Sequence, residues 1–447
     1  MRNLPRFLRT HWPLILAITV TISTLYIYWE AKPTTADCYD CDEYQNLADF
    51  ISRDTKNIIS DYRPPLYPIF LILNGLSVPN SSGSLTLFIS QSLILLLTLC
   101  LFWNLIVKLK MPTRINWIPI ILLAITPAFY SFTKFKMTEV VNLFLLALLV
   151  TVALKLKYKL TLRGILAFVI IIATATFTRF ANCYLGILIL LLIAASHGRE
   201  LFRKRNIVLI ALAVFLVVVP QVIYSSLNYH RNYYFGLSGE TGVNLIGKLV
   251  QYNLVPQADP EFPTITKKLA ECKGTRRTID VFTCIWDFLP KNSFVSKYSV
   301  DNQFVDAFDR KYILRNLPSY IASSIPVVVE AMGKPANSYL VLSETTSPLF
   351  ELEKKIASIY HKILLVWLIT GFPLFFICYR KLFLKEIELL LFIVVSSYYV
   401  AITGLAAIND YQRIVMPAIP FLDILLVYSM YHLARLFLKK NYYVSKT

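Results

Sequence analysis

Residues 85–107 read LTLFISQSLILLLTLCLFWNLIV and contain no Asp, Glu, Lys or Arg. The run exceeds the roughly 18 apolar residues that mark a bilayer-spanning helix. A helix in a soluble core would show a polar stripe at the helical period, and this run shows none. Ile387–Ile408 reads the same way, interrupted only by Glu388 near its start. Composition agrees with these segments. The chain of 447 residues is 56% hydrophobic and 16% charged, against roughly a quarter charged in soluble domains. Its mean hydropathy is +0.56.

The formal net charge is +18. The basic residues sit in short clusters between apolar runs, which is the orientation signal of a membrane protein. No basic patch lies on a soluble domain, so a nucleic-acid partner is excluded. Arg2, Arg6 and Arg9 precede the first apolar run, Trp12–Trp29. That run is longer than the roughly 7–15 residues of a signal-peptide core, so it reads as a retained span. Later clusters are Lys108/Lys110/Arg114, Lys155/Lys157/Lys159/Arg163, Arg199/Arg203/Lys204/Arg205, Arg380/Lys381/Lys385 and Lys439/Lys440. Placing all of them in the cytoplasm predicts an all-α polytopic membrane protein of about ten transmembrane helices. These fall at 12–29, 84–107, 117–133, 137–154, 164–178, 181–196, 207–225, 358–379, 387–408 and 414–437. Both termini are then cytoplasmic.

Five regions follow from this threading. They are residues 1–29 (tail and first span), 30–83 (first outer loop), 84–225 (spans two to seven), 226–357 (an extracytoplasmic soluble insertion between the seventh and eighth spans) and 358–447 (the last three spans and tail). Within the first outer loop, Leu66–Leu76 is apolar but too short to cross, so it reads as an interfacial helix. Cys100, Cys183 and Cys378 fall inside predicted spans, where they act as small apolar residues. Cys38, Cys41, Cys272 and Cys284 all fall in the two outer segments. An oxidising compartment favours their pairing as Cys38–Cys41 and Cys272–Cys284.

Polar residues at the outer surface carry the candidate chemistry. Asp37-Cys38-Tyr39-Asp40-Cys41-Asp42-Glu43-Tyr44 packs four carboxylates directly after a span. Tyr44, Leu47, Ala48 and Ile51 then recur at helical spacing, and Asp40 or Asp42 is expected to cap that helix. One cap does not account for four acids. Clustered carboxylates raise one another's pKa, and one of them can act as a base or hold a divalent cation. Arg63-Pro64-Pro65-Leu66-Tyr67-Pro68 places a guanidinium at the expected interface, flanked by Tyr62 and Tyr67. Arg63 suits a lipid phosphate, which guanidinium binds bidentately, and equally suits a plain interfacial anchor. Glu139 begins a charge-free stretch beside Lys134 and Lys136, and an acid at a span edge is costly unless it has a partner or a task. Arg179 and Arg413 stand at predicted outer ends of spans, against the positive-inside bias. Together Arg63, Lys134, Lys136, Arg179 and Arg413 can ring one outward pocket with acids beside them. The P-loop, H-E-x-x-H and G-x-S-x-G motifs are absent from the sequence.

Four segments in order carry a family resemblance. Asp40-Cys41-Asp42-Glu43-Tyr44 with Ala48, followed by Arg63-Pro64-Pro65-Leu66-Tyr67-Pro68, resembles the first outer loop of GT-C fold glycosyltransferases. The likeness points to bacterial members of the protein-mannosyltransferase and aminoarabinose-transferase superfamily. Met137-Thr138-Glu139 looks like that family's second-loop acid. Arg413-Ile414-Val415-Met416-Pro417-Ala418-Ile419-Pro420 looks like its last-span segment. The resemblance implies transfer of a sugar, with inversion, from a polyprenyl-phosphate donor to a glycan, lipid or protein acceptor, at the extracytoplasmic face of a bacterial inner membrane. It places the catalytic base on Asp40, with Asp42 and Glu43 next in order and Glu139 as the second-loop acid. Donor phosphate falls to Arg63, Tyr67, Lys134, Lys136, Arg179 and Arg413. Some relatives bind a divalent metal near the equivalent site, which here would engage Asp40 and Glu139.

The competing class is a transporter or flippase of an amphipathic anion. Such a protein carries charges or helix breaks near the membrane midplane, often in two repeated halves. No repeat is visible here, and Asp423 is the main ionisable residue inside a predicted span.

Overall fold

The computed structural model describes residues 4–31, 34–36, 38–76, 84–109, 111–112, 115–256, 258–263, 266–267, 269, 298–335, 348–383, 386–407 and 411–444. The first part of the chain forms α1 (Leu4–Ala31), α2 (Tyr39–Arg53), α3 (Leu66–Leu73), α4 (Ser84–Lys108), α5 (Trp117–Ile125) and α6 (Pro127–Phe132). Next come α7 (Glu139–Tyr158), α8 (Leu162–Thr178), α9 (Leu185–Ser196), α10 (Lys204–Asn232) and α11 (Glu240–Gln251). The last part forms α12 (Tyr298–Arg315), α13 (Leu317–Ala322), α14 (Ser324–Gly333), α15 (Pro348–Val366), α16 (Phe372–Phe383), α17 (Ile387–Ala406), α18 (Tyr411–Val415) and α19 (Ile419–Val444). Among the described residues, extended pairing is confined to one parallel bridge between Ala36 and Phe135. The protein is an all-helical integral membrane protein.

Seven described helices are long and apolar enough to cross a bilayer: His11–Ala31, Ser84–Lys108, Glu139–Tyr158, Lys204–Asn232, Lys354–Arg380, Ile387–Ala406 and Tyr411–Leu436. The expected count of about ten differs for a physical reason. The span expected at 117–133 breaks between α5 and α6, where Pro127 cannot continue the preceding helix. Leu162–Thr178 and Phe180–Ser196 are shorter apolar helices, at the lower end of the length that crosses a bilayer. Both still pack in the bundle, α8 against α7 and α10, α9 against α7, α10 and α17. The seventh predicted span also ends later than expected. Helix α10 continues to Asn232 and stops at Tyr233, whose φ of 54° is left-handed.

The main core centres on α7, whose Leu143, Leu146, Ala147, Leu149 and Val150 are fully buried. A separate small core joins α11 to α12 through Val243, Ile246, Leu249, Phe308 and Tyr312. Helix α14 packs instead on α15, α17 and α18 of the bundle.

A closed polar ring ties the bundle together beneath the site. Asn142 Nδ2 donates to the Tyr399 hydroxyl at 2.8 Å, Tyr399 donates to Asn182 Oδ1 at 2.6 Å, and Asn182 Nδ2 donates to Asn142 Oδ1 at 2.7 Å. All three side chains are fully buried. Each group is satisfied, so the ring fixes register among α7, the 180–182 turn and α17. Asn182→Leu leaves an amide and a hydroxyl unpaired and is expected to cost about 1–3 kcal/mol. Thermal unfolding in detergent measures this, and Asn182→Ser should lose less.

Candidate active site

The site begins where α2 begins. Cys38 is the N-cap residue, with extended backbone (φ −155°, ψ 160°), and its Sγ accepts from the Cys41 amide at 3.1 Å. Cys38 and Cys41 are joined as a disulfide. This corrects the expectation that Asp40 or Asp42 caps the helix. Both lie in its first turn, where the helix dipole favours acids. Helical spacing then sorts the acids. Asp40, Glu43, Tyr44 and Leu47 share the inner face, and Asp42 is exposed on the other side. Asp37 lies outside the described residues, as do Cys272 and Cys284.

Arg63 enters from the turn before α3. Ser60 Oγ accepts from the amides of Tyr62 and Arg63 at 3.2 and 3.3 Å. The Asp61 carbonyl accepts from the Gly239 amide at 2.8 Å, and Ser238 Oγ donates to the Tyr62 carbonyl at 2.9 Å. The turn is thus held from the 238–239 segment that leads into α11. Arg63 is buried among three carboxylates. Nη2 meets Asp40 Oδ1 at 2.8 Å, Nε meets Glu43 Oε2 at 2.9 Å, and Nη1 meets Glu240 Oε2 at 3.0 Å. The guanidinium lies over the Tyr62 and Tyr44 rings, with centroids at 4.7 and 5.3 Å. The Tyr62 hydroxyl donates to Glu43 Oε1 at 2.6 Å. Arg63 is therefore not an exposed interfacial anchor, and its donors already serve acids.

Two more arginines complete the cluster. Arg413 Nη1, from α18, meets Asp40 Oδ2 at 2.5 Å and Glu139 Oε1 at 3.9 Å. Arg179 Nη1, from the end of α8, meets Glu139 Oε1 at 3.5 Å. Glu139 is buried at the start of α7, and its Oε2 has no hydrogen-bond partner. One chain of ion pairs therefore connects Glu240, Glu43, Arg63, Asp40, Arg413, Glu139 and Arg179.

The cluster sets its own protonation. Burial alone would push the Asp40 carboxyl up, but the Arg413 and Arg63 guanidiniums, with Arg179 behind them, hold it at about 2. Burial pushes Glu43 up, and the adjacent Asp40 adds to this against the pull of Arg63. Burial also pushes Glu240 up, to about 7, against the pull of Arg63, with repulsion from Asp40 and Glu43 adding to the rise. Burial would weaken the Arg63 cation, yet Asp40 and Glu240 raise its pKa further, so it stays charged.

Two expected phosphate ligands, Tyr67 and Lys134, engage other partners. Tyr67 is buried one layer below, edge-on to Tyr44 at 5.2 Å, with its hydroxyl 3.4 Å from both Gln91 Oε1 and the Phe135 carbonyl. Lys134 is fully buried, and its Nζ donates to the Tyr28 carbonyl at 3.0 Å over the Trp29 ring. Lys136 is half-buried in the turn before α7. The donor set does not fit a divalent cation. A guanidinium nitrogen already stands between Asp40 and Glu139, and the described residues hold no group of three His, Cys, Asp or Glu arranged as metal ligands.

Comparison with protein-family models and with curated proteins gives no match. Among solved structures, the archaeal oligosaccharyltransferase AglB from Archaeoglobus fulgidus, in complex with an inhibitory peptide and a dolichol-phosphate, aligns at a TM-score of 0.44 and 13% identity. The alignment covers 96% of this chain and 52% of that one, so this chain spans about half that protein's length. A likeness this distant decides nothing about chemistry.

Sequence reasoning missed Glu240. It opens α11 as a first-turn acid, which marks many ordinary helices, and no motif surrounds it. Its link to Arg63 is a tertiary fact.

Two outcomes follow from the geometry. Arg63→Met removes the cation from Glu240 and one partner each from Asp40 and Glu43, and is expected to destabilise the fold by about 3–5 kcal/mol, as for other buried ion pairs broken from one side. Arg63→Lys should recover part of that in thermal unfolding. Glu240 supplies a pH dependence. Its folded pKa of about 7 lies above an unfolded value of roughly 4.3. Folding therefore favours its protonated form, and that contribution is complete below the unfolded value and lost as pH rises through about 7. Glu240→Gln should match the wild type in melting temperature at pH 4 and exceed it at pH 8. A deficit at pH 8 would show that the ionised Glu240–Arg63 pair is the favoured state.

Proposed function

We propose that this protein is a membrane glycosyltransferase of the GT-C type that moves a sugar from a polyprenyl-phosphate donor to an acceptor outside the cytoplasm. The observation that carries this reading is the half-buried Asp40 carboxylate, held between guanidiniums from opposite ends of the chain. The likeness of residues 40–48, 63–68, 137–139 and 413–420 to the GT-C pattern supplies the substrate class. A structural salt-bridge cluster needs neither that order of segments nor a place among apolar spans.

The chemistry is an inverting displacement. An acceptor hydroxyl or amine gives its proton to Asp40 while its oxygen or nitrogen attacks the anomeric carbon. The bond from that carbon to the phosphate oxygen breaks, and the lipid phosphate leaves with the electron pair. At a pKa of about 2, Asp40 is a weak base in the resting cluster. Donor phosphate competes with it for Arg413, the guanidinium shared with Glu139. Drawing Arg413 toward phosphate weakens its hold on Asp40 and strengthens the base as donor arrives. General-base catalysis contributes roughly 10²–10⁴-fold, and charge stabilisation of the departing phosphate by Arg413 and Arg179 contributes further. Arg63 then serves to orient Asp40 and Glu43.

Purified Asp40→Asn protein, offered a panel of polyprenyl-phosphate sugars, should lose at least about 10²-fold in transfer while still melting cooperatively, at a temperature lowered by the loss of its two guanidinium pairs. Wild-type turnover in that variant would remove Asp40 from the mechanism. A transporter would instead move labelled lipid without making a glycosidic bond, so product analysis separates the two classes. Both termini are proposed to be cytoplasmic. Cysteines placed at Asn80 and Lys157 should be labelled in intact cells at the first position only.

A further inference from the structure

The last turn of α17 shows an unusual cap. A helix C-terminus leaves its final carbonyls without intrahelical partners. The Ala407 amide serves the carbonyl of Thr403. The next two carbonyls are served from the segment between α10 and α15. Lys248 Nζ, from α11, donates to the Gly404 carbonyl, and the Tyr320 hydroxyl, from α13, donates to the Leu405 carbonyl. Lys248 is fully buried. Its ammonium also donates to Ser324 Oγ at 2.7 Å and lies over the Tyr320 ring at 4.4 Å. Gly404 is where α14 approaches most closely. A Cβ there would stand 3.0 Å from Val328 Cγ2 and 3.2 Å from Ser324 Cβ.

One helical turn further along α11, Gln251 Oε1 accepts from the Tyr411 hydroxyl at 3.3 Å. Tyr411 opens α18, the five-residue helix that carries Arg413. One face of α11 therefore grips both the end of α17 and the start of α18. The other end of the same helix places Glu240 on Arg63. Packing alone does not explain a lysine here. Burying an ammonium is costly, and Leu or Met would fill the space without that cost. What the charge adds is attraction to the negative end of the α17 dipole.

We propose that Lys248 is a positioning residue for Arg413, which pins the α17–α18 junction to α11 so that the Arg413 guanidinium rests against Asp40. Its catalytic consequence rests on the proposed role of Asp40, whereas the geometric consequence does not. With Lys248 in place, Arg413 and Arg63 flank Asp40 on two sides. Without it, the junction loses its charged cap and Arg413 moves off the carboxylate.

The test reads Asp40 directly. Carbodiimide modifies the protonated carboxyl, and peptide mass spectrometry follows its pH dependence in the full-length protein in detergent. The charged groups connected to Asp40 are Arg63, Arg413, Glu43, Glu139, Glu240 and Arg179. In Lys248→Met the labelling midpoint of Asp40 should rise by about one pH unit, the scale expected when an opposite charge withdraws. Lys248→Arg should restore it. An unchanged Asp40 midpoint in Lys248→Met protein that melts cooperatively would overturn the proposal. Should that variant fail to fold, Tyr320→Phe removes only the donor to Leu405 and alters no formal charge. It should shift the midpoint in the same direction by less, and no shift would again overturn the proposal. Sugar transfer is measured alongside and should fall about tenfold in Lys248→Met. A shifted midpoint with unchanged transfer would leave the clamp standing and refute Asp40 as the base.

Discussion

The Asp40 carboxylate, shared between Arg63 and Arg413, is the contact on which the candidate site depends. Its three members come from the first turn of α2, the turn before α3 and the short helix before α19. These pieces are far apart in sequence, and no backbone hydrogen-bond ladder connects them. In a poorly hydrated setting such ion pairs are screened far less than surface pairs. They are also costly to leave incomplete. The cluster therefore acts as a lock on assembly. Helix α2 has to arrive with its acids facing inward, and α18 with its arginine turned to Asp40 and Glu139, before either charge is compensated.

Local chemistry prepares α2 for that role. The cap at Cys38 and its bond to Cys41 fix the first turn of the helix locally. Asp40 lies between the bonded cysteines, so the closed turn also limits where its carboxylate can point. Glu43 follows one turn later on the same face, where it meets Nε of Arg63 and the Tyr62 hydroxyl. The double proline after Arg63 removes two amide donors and lets the 60–63 turn be satisfied by Ser60, Gly239 and Ser238 instead.

Much of this was legible in the sequence because hydrophobicity is a collective signal. The long spans declare themselves through runs such as Leu85–Val107, and charged residues at their outer ends stand out against an apolar background. Asp40, Glu43, Arg63, Glu139, Arg179 and Arg413 were recognisable as exceptions to that background, and the ion pairs bring all six together. Lys134 was an exception of the same kind, yet its ammonium turns to a backbone carbonyl at the end of α1. One-dimensional position gives the depth of a charge but not its azimuth. The break at Thr126-Pro127 was hidden because both flanks are equally apolar. Glu240 and Lys248 were invisible for the opposite reason. They lie in a mixed segment where charged residues are ordinary, and only burial makes them unusual.

The charge count of the cluster bears on what it can bind. Four acids, Asp40, Glu43, Glu139 and Glu240, are linked to three guanidiniums. Fully ionised, the set would carry one negative charge and would repel a phosphate. Glu43 and Glu240 are both shifted upward and compete for the same arginine. A proton shared by that pair offsets the excess negative charge, while the flanking arginines hold Asp40 in its ionised form. On the proposed function, an anion arriving at Arg413 would meet less repulsion than a fully ionised cluster presents, and ligand charge and proton occupancy would be coupled across one arginine pair.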